Sequence, residues 1–180
     1  MMAATPTKRK EVMRTRLIGL LIIAAAPAFG KSAPAPCSTA EFKQIDFWLG
    51  DWDARWEASP GTPAGTGSNH ITRTYDGCVT EEHFVGEPLH GHSVSAYLVG
   101  TKNWRQTWVD NQGGYIDLAG GPDSAGNFVL TTLPRSGTAA ASRMVFTDIK
   151  PNSFTWRWQA TKDGKSWADS WVIHYTRKKP

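Results

Sequence analysis

The sequence is poor in cysteine, in long apolar runs and in catalytic signatures, and each shortage removes a class of function. It has two cysteines, Cys37 and Cys78, 41 residues apart. That spacing fits neither a C-x-x-C redox pair nor a zinc knuckle. The longest apolar run, Leu17 to Ala26, has ten residues, half of the ~20 needed to span a bilayer as a helix. No Gly-rich phosphate loop is present. Gly91-His92-Ser93-Val94-Ser95 lacks the second glycine of a serine-hydrolase elbow. Excess charge is also missing where it would matter. The formal net charge is +4, but residues 1–30 carry five Lys/Arg against Glu11 alone. The rest of the chain is formally neutral, which removes the electrostatic field that a nucleic-acid partner requires.

What is present begins with an address. Lys8 to Arg16 is basic, Leu17 to Ala26 is apolar, and small residues follow at Ala26-Pro27-Ala28 and Ala28-Phe29-Gly30. This is the order of a cleavable export signal. Pro34-Ala35-Pro36 before Cys37 does not suit lipoprotein processing. The expected organisation is a signal peptide over 1–30, an extended linker over 31–36 and one domain over 37–180. The expected location is the periplasm or the exterior, with no stable membrane anchor after cleavage. An oxidising compartment permits a Cys37–Cys78 bridge, which would contribute on the order of 3–4 kcal/mol. The other reading is two buried thiols.

Ser38-Thr39-Ala40-Glu41 reads as a capping box, and Phe42, Ile45, Phe47, Trp48 and Leu49 give an apolar helical face that Gly50 ends. After Gly50 the period changes to two: Trp52, Ala54 and Trp56 alternate with Asp51, Asp53, Arg55 and Glu57. Further strand-like runs occur at 69–75, 78–85, 92–99, 103–110, 114–120, 127–133, 141–148, 153–161 and 167–177. Ten strands with turn residues between them predict an all-β, antiparallel, up-and-down barrel with one N-terminal helix closing its base. In such a meander Cys78 falls at the helix end, beside Cys37. The longest connection, Ser59 to Ser68, falls at the opposite end, and Arg177 returns beside Trp52.

Phe47-Trp48-Leu49-Gly50-Asp51-Trp52 holds a G-x-W at the entry to the first strand. Together with Cys37, Cys78-x-x-x-Glu82, Gly91-x-Ser93, Tyr97, Trp104-x-Gln106-x-Trp108-Val109-Asp110, Gly114, Asp163-Gly164, Trp167, Tyr175 and Arg177, it resembles an exported bacterial lipocalin/calycin-like family of unknown function. The resemblance covers nearly all of residues 37–177. It implies a calycin-like barrel in which Trp52 crosses the closed base and Arg177 covers it. It implies no reaction and no cofactor. Trp156 stands where that family often has Gln, which makes the interior more aromatic.

Strand parity turns Trp52 and Trp56 inward, with Thr80, Glu82 and Phe84 on the third strand and Trp104, Gln106, Trp108 and Asp110 on the fifth. Phe154, Trp156 and Trp158 follow on the ninth, and Trp171, Ile173, Tyr175 and Arg177 on the tenth. Apolar walls with a few oriented polar groups are the composition of a small-molecule pocket, and ten strands enclose more space than a minimal eight-stranded barrel. The expected ligand-binding set is Trp56, Glu82, Tyr97, Gln106, Trp108, Trp158 and Trp171, with Trp52 and Arg177 structural. The partner is a small apolar or aromatic molecule, with no cofactor and no metal. Two alternatives stay open: an enzyme using Glu82 and Asp110 as acid and base, or an envelope module whose core is filled through a Glu82–Gln106 network. His83, Glu87, His90 and His92 read as a solvated rim, and His174 has the wrong parity for an inward haem ligand.

Overall fold

The computed structural model describes Met1, residues 35–133, Gly137 and residues 139–179. The chain divides into two compact units, Met1–Ala33 and Pro34–Pro180. The expected signal peptide and residues 31–34 of the linker lie outside the described residues. Among the described residues no helix is long and apolar enough to cross a membrane.

The second unit is a closed barrel of ten antiparallel strands. They are β1 (Gly50–Trp56), β2 (Gly65–Thr74), β3 (Val79–Gly86), β4 (His90–Leu98), β5 (Asn103–Asp110), β6 (Tyr115–Pro122), β7 (Phe128–Thr132), β8 (Ala141–Lys150), β9 (Ser153–Thr161) and β10 (Ala168–Arg177). Each strand pairs with the next in sequence. The cylinder closes where β1 meets β10, with Trp52 opposite Arg177 and Ala54 opposite Tyr175. Closure leaves no unpaired sheet edge, and the period-2 pattern decides which face is inside. On β1, Trp52, Ala54 and Trp56 are buried while Asp51, Asp53 and Arg55 are exposed.

The segment before β1 departs in detail from the expected capped helix. It forms two short 3₁₀ turns, Ala40–Lys43 and Asp46–Trp48. Thr39, not Ser38, precedes the first, and it makes no side-chain capping bond. Its hydroxyl donates to the Glu41 carboxylate instead. The reason lies in the apolar spacing. Phe42, Ile45 and Trp48 are three residues apart, and three residues per turn put them on one face. All three are buried.

These turns close the base and are tied to the wall on every side. Cys37 is bonded to Cys78, just before β3. Arg73 donates to the carbonyls of Phe42 and Gly77 and pairs with Asp46. Trp104 Nε1 donates to the Gln44 side chain at 3.0 Å. Trp52 is fully buried, and its Nε1 donates to the Trp48 carbonyl at 2.7 Å. The Arg177 guanidinium lies 4.1 Å from the centre of the Trp52 ring and donates to the Leu49 carbonyl. Gly50 is required here: its φ is +111°, and a Cβ would stand 2.5 Å from Arg177 Nη1. Above Trp52 an aromatic layer of Phe47, Phe128, Phe146 and Phe154 fills the base half, with ring centres 5.3–6.1 Å apart around Phe47.

β2 begins at Gly65, four residues earlier than its apolar pattern shows. Gly65 and Gly67 carry no hydropathy signal and look like loop. They are strand because two close approaches need them bare. A Cβ on Gly65 would meet the Trp56 ring at 2.6 Å, and one on Gly67 would meet the Val85 carbonyl at 2.5 Å. The loop at the far end is correspondingly shorter, running over 57–64.

Candidate functional site

With the base half filled, the free space lies in the half of the barrel remote from the 3₁₀ turns. It is a cavity of about 200 Å³. One wall is indole: Trp108 from β5, Trp156 and Trp158 from β9, and Trp171 from β10. Trp156 and Trp158 stack at 12° between planes, and Trp171 stands edge-on to Trp156 at 5.7 Å. Ile116, Leu118, Met144 and Ile173 supply the aliphatic wall. Glu82, Gln106 and Tyr175 are the polar groups on the inner floor, and Asp110 stands nearer the mouth.

The floor groups are held by a buried network. Glu82 Oε1 accepts from Asn69 Nδ2 at 2.7 Å, and Oε2 accepts from Ser93 Oγ at 2.6 Å. Asn69 Nδ2 also reaches the Tyr175 hydroxyl oxygen at 3.5 Å. Gln106 Nε2 donates to Ser95 Oγ at 2.9 Å. The Glu82–Gln106 bond of the filled-core alternative is absent among the described residues; two separate pairs stand in its place, each linking a long polar side chain to a serine on β4. Burial drives the Glu82 pKa up to about 7, against the opposing donors Ser93 and Asn69. Among the described residues no cation pairs with it to hold the charge. Burial, and next the Glu82 charge, push the Tyr175 hydroxyl well above its ordinary range. Below about pH 7 the floor is thus largely uncharged, which suits an apolar guest.

Asp110 is a different kind of group. Burial opposes its ionisation, but Trp108 Nε1 donates to Oδ2, the backbone N–H groups of Gly114 and Gln112 donate to Oδ1, and its pKa is lowered. It shapes the 111–114 turn and orients the Trp108 indole. The register sets it level with Phe84, one inward-facing step from Glu82 toward the mouth. Each of the two carboxylates is thus committed to its own local hydrogen bonds.

Gly91 sets the place of Trp108. A Cβ there would lie 2.0 Å from the indole, so the ring occupies the space that a side chain would take on β4. Gly91→Ala must displace the ring into the cavity. We expect a loss of about 1–3 kcal/mol and a shift of the near-UV circular dichroism of the indoles. An unchanged spectrum and melting curve would show that Trp108 packs elsewhere.

Of the residues expected to bind a ligand, Glu82, Gln106, Trp108, Trp158 and Trp171 converge on the cavity. Trp56 does not line it. Its ring packs edge-on to Trp171 at 5.4 Å, and its Nε1 donates to the Pro63 carbonyl in the 57–64 loop. Tyr97 lies at the base, where its ring meets Phe42 at 5.3 Å and Trp104 at 5.9 Å. Parity places both side chains inward, but it does not say at what height along the axis. His174 faces outward and is exposed, as its parity requires. Sequence reasoning missed Asn69, which holds Glu82, and Leu118 and Met144 on the aliphatic wall. Asn69 was within reach: it shares the inward face of β2 with Ile71, and an inward Asn needs a polar partner.

The closed ten-stranded barrel, the G-x-W tryptophan across its base and the covering arginine are compatible with a calycin-like fold. No family model matches the chain, and no curated protein matches it.

Proposed function

We propose that this chain is an exported binding protein that holds one small, mostly apolar molecule of one or two rings in the remote half of the barrel. The observation that carries the reading is the indole-walled cavity of about 200 Å³. Its size sets the class of guest. An apolar cavity of about 150 Å³ takes benzene, whereas pockets for larger ligands run from about 300 Å³ upward. A long acyl chain is too large to be enclosed. The Gln106 carbonyl oxygen has no protein partner among the described residues, and neither does the Tyr175 hydroxyl proton. They offer one acceptor and one donor to a guest with a single polar end. Export rests on the Lys8–Arg16 and Leu17–Ala26 segments, and a disulfide agrees with an oxidising compartment.

The test is titration with naphthalene, 1-naphthol, indole and palmitate, read by native mass spectrometry and by calorimetry. We expect one bound ring compound per chain, 1-naphthol tighter than naphthalene, and no enclosed palmitate. Leu118→Trp, which fills the space from β6, should abolish binding while the protein stays folded. Absence of saturable binding by every ring compound, or unchanged binding by Leu118→Trp, would overturn the reading.

A further inference from the structure

The outer wall carries a second arrangement, unrelated to the cavity's guest. β1 to β4 are in such register that Asp51 stands opposite His70, His70 opposite His83, and His83 opposite His92. All four therefore lie in one row on the outer face. The Asp51 end is closed on itself, since Asp51 Oδ1 and His70 Nδ1 are 2.6 Å apart. The other end is open. The His83 and His92 rings are tilted 30° to one another, their centres 4.4 Å apart. Glu81 stands on the same face of β3 as His83, two residues before it, and its Oε2 is 3.8 Å from His92 Nε2. Its other oxygen, Oε1, accepts from Thr74 Oγ1 at 2.9 Å, which fixes the carboxylate and leaves Oε2 turned to the histidines. His92 Nε2 is buried and makes no hydrogen bond. One ligand atom from each of Glu81, His83 and His92 lies within 4.8 Å of the other two.

We propose that Glu81, His83 and His92 form a binding site for a divalent first-row transition ion, with zinc(II) as the type case. Two imidazole nitrogens and one carboxylate oxygen are the donor set that such ions prefer over magnesium or calcium. Metal–donor bonds of about 2.1 Å place tetrahedral donors about 3.4 Å apart. The atoms here are close enough to reach that spacing by side-chain rotation on a rigid two-strand platform. Three protein ligands leave a coordination position for water or for an outside ligand. The sequence pattern groups His83 and His92 with Glu87 and His90 as a solvated rim and leaves Glu81 out. Among the described residues the His90 ring reaches Glu87 alone, at 3.4 Å, and Glu81 completes the set because strand pairing brings it to His92.

The proposal is tested on the untagged full-length chain, stripped with chelator and titrated with zinc chloride by calorimetry. Magnesium and calcium chlorides serve as controls. We expect one zinc ion per chain in the micromolar range and no saturable magnesium or calcium binding. His83→Ala and His92→Ala should each weaken zinc at least tenfold, while His90→Ala, outside the triad, leaves affinity unchanged. Cobalt(II) provides a second readout that does not depend on the variants, because a four-coordinate histidine site gives intense visible bands and a hydrated surface ion does not. No saturable zinc binding, equal loss on His90→Ala, or a cobalt spectrum like that of the free ion would overturn the assignment.

Discussion

Replacing Trp52 with alanine is expected to cost the barrel about 3–5 kcal/mol, the range for removing a large aromatic side chain from a packed core. The effect should sit at the upper end because the ring serves three partners. Its Nε1 bonds the Trp48 carbonyl at 2.7 Å, and its edge meets Phe154 at 4.7 Å. Its face also carries the Arg177 guanidinium at 4.1 Å. With the ring gone, Arg177 keeps its bonds to the Leu49 and Pro151 carbonyls but stands over a void. The 3₁₀ turns lose the contact that seats them in the barrel base. Trp52→Phe should recover most of the packing and lose only the N–H bond. Equilibrium urea unfolding measures both. A loss below about 1 kcal/mol for Trp52→Ala would mean that the base is held by the disulfide and the Arg73 bonds alone.

The second large effect is a pH dependence that runs opposite to the usual one for a carboxylate. In the unfolded chain Glu82 titrates near its ordinary value of 4.5, and in the barrel near 7. Between these values the folded state keeps a proton that the unfolded state has released. The stabilisation is therefore complete below pH 4.5 and is lost as pH rises through 7, by roughly 3 kcal/mol in total. Glu82→Gln mimics the protonated form. Its amide oxygen accepts from Asn69, and its amide nitrogen donates to Ser93 Oγ. The variant should match the wild type at pH 5 and exceed it at pH 8. All other groups are shared, so their titration cancels in the difference. Parallel pH profiles of the two proteins would show that Glu82 ionises freely inside the barrel.

Much of this architecture is legible in the sequence because it rests on period two. Asp51, Asp53 and Arg55 alternating with Trp52, Ala54 and Trp56 state both the strand and its inner face, and such runs recur until Arg177. The disulfide and the Trp52–Arg177 pair follow from counting strands and asking which ends meet. Three features were hidden for identifiable reasons. The start of β2 lies in glycines whose role is absence of bulk, and absence has no periodicity. The sites of Tyr97 and Trp56 depend on height along the barrel axis, which register and shear decide and parity does not. Glu82's partners come from two different neighbouring strands, Asn69 on β2 and Ser93 on β4. Their meeting needs the registers of both pairings, which a linear reading does not contain.

The most direct measurement is a crystal structure at high resolution, determined after soaking with indole. We expect an ordered ring between Trp108, Trp158 and Trp171, with its nitrogen toward the Gln106 carbonyl oxygen and with Phe146 and Phe154 unmoved below it. A space closed by rotated indoles, or filled by an ordered chain of waters that indole does not displace, would contradict it.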